Sequence, residues 1–151
     1  MIKCTRTDSE NEHFRGLIKL LDSELADRDG KDHTFYAQFN KIDKIKYAIV
    51  CYDNEQPVGC GAIKEYSPDA VEVKRMYVLT KKRNQGIASS ILLALEQWAS
   101  DLDYKKTVLE TGKRQPEAIA LYSKNDYKIV PNFGQYENVV NSVCFEKALP
   151  H

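Results

Sequence analysis

Between Lys46 and Leu79 three apolar runs, KYAIVCY, PVGCGAIKEY and VEVKRMYVL, are separated by only two short polar breaks. Asp53–Gln56 and Ser67–Ala70, which fill those breaks, are rich in turn-forming residues. A parallel strand pair needs a crossover of about a dozen residues or more, so breaks this short permit only antiparallel neighbours. The middle of the chain therefore reads as a three-stranded antiparallel meander, around which the remainder must be built.

On the N-terminal side, Ile2–Arg6 is β-capable. Asp8 and Ser9 offer caps for a helix whose Phe14, Leu17, Ile18, Leu21 and Leu25 share one face. Asp27–Gly30 breaks it, and Phe35, Tyr36 and Phe39 predict a short second helix. After Leu79 the chain changes character. Thr80–Gly86 is polar and basic, and the helix that follows is apolar at Ile87, Ile91, Leu95 and Trp98, flanked by Ala88 and Leu92. Thr107–Thr111 reads as a strand, and Pro116 suits the first turn of another helix carrying Ala118, Leu121 and Tyr122. Lys128–Val130 and Val139–Phe145 read as two last strands around a 131–138 loop. The predicted fold class is α/β, of the α+β kind: a mostly antiparallel mixed sheet flanked by helices, in one domain spanning residues 1–151.

Lys plus Arg equals Asp plus Glu, at 22 each, so no global field favours nucleic acid or an anionic membrane. No uncharged stretch reaches the ~18 residues of a membrane span, and the chain is expected in the cytoplasm. Cys51, Cys60 and Cys144 lie in strand-like runs and Cys4 in the more polar first strand. All four read as small, mostly buried hydrophobes in a reducing compartment. His13 and His33 have no partner spacing for a metal, and none is expected.

The chemistry concentrates after the third strand of the meander. Met76-Tyr77-Val78 is followed by Arg83-Asn84-Gln85-Gly86-Ile87-Ala88, a basic loop opening a helix at a glycine. A helix start presents unpaired N–H groups and a positive dipole end, which suit a pyrophosphate. Gly86 and Ala88 lack the bulk that would keep an anion from the backbone, and Lys81, Lys82 and Arg83 add charge. No Gly-Lys-Ser/Thr follows, which excludes a nucleoside-triphosphate P-loop, and the single glycine excludes a dinucleotide fingerprint.

This segment is similar to the Arg/Gln-x-x-Gly-x-Gly/Ala signature of the GNAT superfamily of acetyl-CoA-dependent N-acetyltransferases. Ala118-Ile119-Ala120-Leu121-Tyr122, with Asn125-Asp126-Tyr127, resembles that family's Ala-x-x-Leu-Tyr-x-x-x-Gly-Phe/Tyr segment, with Asp126 in place of glycine and Gln115 where asparagine is frequent. The resemblance implies a GNAT fold, acetyl-CoA as cosubstrate, and direct transfer of acetyl to a primary amine of a small molecule or peptide. It implies that Met76, Tyr77 and Val78 pair with the pantetheine arm and that Arg83 to Ala88 hold the pyrophosphate. Tyr122 is implied as the general acid. A phenol of pKa about 10 is a workable donor to a thiolate whose conjugate acid titrates near ~8.5. The base is Glu72, with Glu110 as the alternative. The acceptor pocket is implied near Glu24, Asp27, Arg28, Asp29, Asp32, His33, Phe35 and Tyr36, with Phe133 and Tyr136. The rival reading is a module that holds acyl-CoA without catalysis. A homodimer through the apolar C-terminal strand, with Val139-Val140 and Val143–Phe145 at an open edge, is a further expectation.

Overall fold

The computed structural model describes residues 1–29 and 45–150. Its elements are β1 (Ile2–Thr7), α1 (Glu12–Asp29), β2 (Tyr47–Asp53), β3 (Gln56–Ser67), β4 (Ala70–Val78), α2 (Ile87–Asp101), β5 (Lys106–Gly112), α3 (Pro116–Lys124), β6 (Lys128–Val130) and β7 (Ser142–Ala148). The seven strands form one mixed sheet in the order β1-β2-β3-β4-β5-β7-β6. The expected short helix at Phe35, Tyr36 and Phe39 lies outside the described residues. No helix among the described residues is long and apolar enough to cross a membrane. The chain divides into two compact units, Met1–Lys64 with Lys74–Leu95, and Glu65–Val73 with Glu96–His151.

In the first unit β2 pairs antiparallel with both β1 and β3, so the predicted meander starts as expected. Phe14, Leu17, Ile18 and Leu21 of α1 are buried in one cluster with Ala48, Val50, Cys60, Ala62 and Tyr77. The helix is capped at Asn11, whose Oδ1 accepts the Phe14 N–H at 2.9 Å, and not at Asp8 or Ser9. Asp8 instead bends the entry, its Oδ1 accepting the Glu10 N–H and its carbonyl the Asn11 N–H. Cys4 and Cys51 stand directly opposite each other across β1 and β2, and their sulfurs are bonded. The reading of all four cysteines as unpaired thiols is corrected for this pair. Their separation of 47 residues gives no local sign of the register that joins them.

Helix α2 approaches β3 where side chains are missing. A Cβ at Gly61 would sit 2.7 Å from Met76 Sδ, 2.8 Å from Ile91 Cγ2 and 2.9 Å from Leu95 Cδ1. At Gly59 it would meet Ile91 Cδ1 at 2.9 Å and the Tyr77 carbonyl at 3.0 Å. Two glycines at alternate strand positions thus open the sheet face on which Ile91 and Leu95 lie.

In the second unit the first residues of β4 pair parallel with β5, Ala70↔Lys106 to Glu72↔Val108. A parallel pair needs a crossover, and α2 lies between the two strands in the chain. β5 and β6 both pair antiparallel with β7. The C-terminal strand is accordingly flanked on both sides, and it is no open edge for a second copy. Val139 and Val140 are not part of it. Val139 closes a turn on the Tyr136 carbonyl, the Ser142 N–H closes another on Val139, and Val140 points to solvent.

Helix α3 begins with Pro116 at its first turn, as predicted. It ends in a Schellman motif. The Tyr127 N–H reaches the Tyr122 carbonyl at 3.0 Å, the Asp126 N–H reaches Ser123, and the Tyr122 and Tyr127 rings meet with centroids 5.8 Å apart. This geometry needs a left-handed residue, and Asp126 takes it at φ 71°. The departure from the family's glycine is thus tolerated because aspartate is among the side chains that enter that region most readily.

Two stability outcomes follow from these contacts. Gly61→Val should lower the unfolding free energy by about 1–3 kcal/mol, seen as a Tm drop of roughly 3–10 °C by calorimetry; an unchanged Tm would mean α2 is not seated on that gap. Asp126→Gly should raise stability by about 0.5–1 kcal/mol by relieving the left-handed Cβ, net of the added chain entropy. A loss in chemical denaturation would contradict that account.

Candidate active site

In the first unit the expected pyrophosphate loop joins β4 to α2. Thr80–Lys82 forms one 3₁₀ turn, Arg83 is extended, and Asn84 (φ 65°) and Gly86 (φ 82°) are left-handed before the helix opens at Ile87. A Cβ at Gly86 would touch nothing within 4 Å, so the glycine is required for its backbone angle and not for space within the protein. Left-handed residues beside right-handed ones turn successive N–H groups towards a common concavity, the kind that binds anions. The first turn closes with the Ser90 N–H and Oγ on the Gly86 carbonyl, both at 3.1 Å. The N–H groups of Ile87 and Ala88 therefore precede any acceptor inside the helix.

The basic side chains behave differently from the sequence expectation. Arg83 donates from Nε to the Val78 carbonyl at 2.9 Å and from Nη2 to Glu24 at 2.7 Å, with its guanidinium 5.5 Å from the Tyr77 ring centroid. Lys82 pairs with Asp53 at 3.1 Å. Two of the three cations are thus spent on fastening the loop to β4, α1 and the end of β2. Lys81, Asn84, Gln85 and Gly86 are exposed.

Met76, Tyr77 and Val78 turn their side chains into the same unit, where Met76 lies by Gly61 and Tyr77 under Arg83. What they can offer a ligand is backbone. Just before them Arg75 is left-handed at φ 61° inside a strand, a conformation costing about 1–3 kcal/mol. Its buried guanidinium reaches Asp22 at 3.0 Å, and its carbonyl accepts the Cys60 thiol.

The second unit gathers the acid–base candidates. Tyr122 is buried at the end of α3, between the rings of Tyr127 and Phe145, and no hydrogen bond engages its hydroxyl among the described residues. Burial, and then the Glu110 carboxylate, hold its pKa above that of a free phenol. Glu72, on β4 at the last position paired with β5, is 9% exposed and accepts the Tyr136 hydroxyl at 3.0 Å. Glu110 stands opposite Cys144 on β7 and accepts the Ser142 hydroxyl at 2.6 Å. Tyr136 is raised by burial and by the charges of Glu72 and Glu110; the same causes raise the Cys144 thiol. One polar cluster thus contains Tyr122, Glu110, Cys144, Glu72 and Tyr136.

Sequence reasoning missed the Tyr136–Glu72 and Ser142–Glu110 bonds, for which neither spacing nor motif offers a signal. Of the expected acceptor residues, Glu24 is committed to Arg83 and Asp27 is exposed. Asp32, His33, Phe35 and Tyr36 lie outside the described residues, as do the side chains of Arg28 and Asp29.

The Acetyltransferase (GNAT) family matches residues 14–127. An IAA acetyltransferase of Azospirillum brasilense is 37% identical over 136 residues, 88% of either chain. A Klebsiella pneumoniae structure assigned as an acyl-CoA N-acyltransferase is 29% identical, with TM-score 0.83 over 99% of this chain and 98% of that one. A GNAT family acetyltransferase from Elizabethkingia anophelis, solved with acetyl-CoA bound, shares the fold at TM-score 0.70 and 19% identity, over 98% of each chain. Two lines agree: a family match over most of the chain and a fold shared end to end. The chain belongs to the GNAT family of acetyltransferases, enzymes whose cosubstrate is acetyl-CoA.

Proposed function

We propose that this acetyltransferase moves the acetyl group directly onto a primary amine, with Tyr122 as general acid and Glu72 as base, and that residues 1–151 work as one catalytic domain. The observation that carries the reading is the polar cluster of the second unit: Tyr122, whose hydroxyl has no hydrogen bond among the described residues, and Tyr136, which bonds the buried Glu72 carboxylate, both feel the charge of Glu110. The amine nitrogen bonds to the thioester carbonyl carbon, the carbon–sulfur bond breaks, and sulfur leaves with the electron pair. The proton lost by nitrogen passes to Glu72, directly or through a water, and the Tyr122 hydroxyl protonates the departing thiolate. Burial that raises the phenol also penalises a thiolate beside it, so donor and acceptor rise together. Glu110 supports Tyr122 in its neutral, proton-bearing form.

Direct attack is favoured over an acyl-enzyme because the cysteines make poor nucleophiles. Cys4 and Cys51 are bonded, burial pushes Cys60 up to about 12, and Cys144 is raised as well. For the cosubstrate, the reading assigns the pyrophosphate to the backbone N–H groups of Asn84 to Ala88. It assigns the pantetheine arm to the backbone of Met76, Tyr77 and Val78, with Arg83 holding the loop in shape.

Gly86→Val should weaken acetyl-CoA binding by at least about 10-fold in calorimetry while far-UV dichroism stays native, because it loses the left-handed turn and fills the approach to the N–H groups. Unchanged affinity would move the pyrophosphate elsewhere. Tyr122→Phe keeps the ring and its packing, so coenzyme affinity should survive. With acceptor saturating, kcat should fall by at least about 100-fold, the lower bound for a positioned general acid. Turnover within a few-fold of wild type, with chemistry rate-limiting, removes Tyr122 from the mechanism.

A further inference from the structure

The second unit contains two buried carboxylates that each accept a hydrogen bond from a buried tyrosine, and they differ in one respect. Glu96, 7% exposed, accepts the Tyr127 hydroxyl at 2.9 Å and also pairs with the Lys147 ammonium at 2.8 Å. Glu72, 9% exposed, accepts the Tyr136 hydroxyl at 3.0 Å, but among the described residues no lysine, arginine or histidine pairs with it. A carboxylate buried without a counter-ion is costly, and where none of the described residues supplies the cation a ligand can.

Tyr136 is also the inner end of an aromatic series. Its ring meets Phe133 edge-on, with centroids 5.8 Å apart, and Phe133 meets Tyr66 edge-on at 5.0 Å. Burial is graded along it: Tyr66 is 45% exposed, Phe133 half-buried and Tyr136 buried. Gly134, left-handed at φ 52°, brings the loop backbone against the Tyr66 ring, where a Cβ would stand 3.4 Å from Tyr66 Cε1. Ring faces and edges beside a carboxylate suit a cation attached to a flat apolar group, since the ammonium gains both the charge and the π-surfaces. The second carboxylate, Glu110, acts on Tyr136 too and deepens the negative field there.

We infer that the acceptor is a primary ammonium carried on an aromatic body, with Tyr66 and Phe133 as its specificity-determining wall and Glu72 as the counter-ion at the inner end. The inference rests on Glu72 lying in the active site, as proposed above. It is tested with the full chain, acetyl-CoA and two acceptors of similar basicity, 2-phenylethylamine and n-butylamine. 2-Phenylethylamine should exceed n-butylamine in kcat/KM by at least about 10-fold. Tyr66→Leu and Phe133→Leu should each erode that ratio several-fold while leaving acetyl-CoA affinity near wild type. Calorimetry on enzyme saturated with coenzyme A supplies a readout independent of turnover. Glu72→Gln should weaken 2-phenylethylammonium and spare its neutral isostere, 2-phenylethanol. Selective binding without acetylation would defeat the proposed transfer mechanism and support the wall. Equal acetylation of the two amines would defeat the wall and leave the mechanism standing. A ratio unmoved by both leucine variants, or binding of neither amine, overturns the inference.

Discussion

Close approach between α2 and β3 is the constraint on which the first unit depends. Ile91 and Leu95 occupy the space left by the missing side chains of Gly59 and Gly61, and this seats the helix whose first N–H groups have no acceptor within it. Such a position could not be held by surface ion pairs alone, since exposed pairs contribute little and are screened. The Arg83 tether to Val78 and Glu24 then sets the loop between a strand and a helix already fixed by packing. The residues that pack the helix therefore also aim its dipole.

The second unit is organised by buried polar groups. Tyr127, Thr107, Glu96 and Lys147 form a network in which every charge has its opposite, and the network fastens β5, β7 and the end of α2 around the segment after α3. Tyr122 belongs to the same helix end, as the residue whose carbonyl closes the Schellman motif. Its backbone is committed to structure while its hydroxyl is left uncommitted among the described residues. Glu72 and Tyr136 repeat the carboxylate–phenol pairing without the ammonium. Among the described residues, the two pairs thus differ in whether the fold supplies a cation beside the carboxylate.

Much of the architecture was legible because it is written locally. The meander follows from turn residues between apolar runs, α1 from a 3.6-residue stripe, and α3 from Pro116 at its start. The loop between β4 and α2 was legible for the same reason, since a strand, a basic loop and a glycine at a helix start lie within about a dozen consecutive residues. Errors arose where a local sign competed with a longer-range demand. Asp8 and Ser9 look like caps, but the Ser9 N–H bonds to the Ile45 carbonyl and the helix starts after Asn11. Val139 and Val140 look like strand, yet two consecutive turns hold them off the sheet.

The sequence by itself determined the element order, the antiparallel start of the sheet, and the basic loop and glycine that open α2. Each depends on neighbours in the chain, through hydrophobic period, turn propensity and backbone freedom. Only the tertiary structure decided which side chains meet. Arg83 answers to Glu24, Glu72 to Tyr136, Cys4 to Cys51, and Arg75 to Asp22. These partners are set by strand register and helix placement across tens of residues, and shifting a strand by one residue would send each side chain to the opposite face. That is why the family motif was readable from the chain, whereas the buried Glu72 carboxylate acquired its Tyr136 partner only in the folded protein.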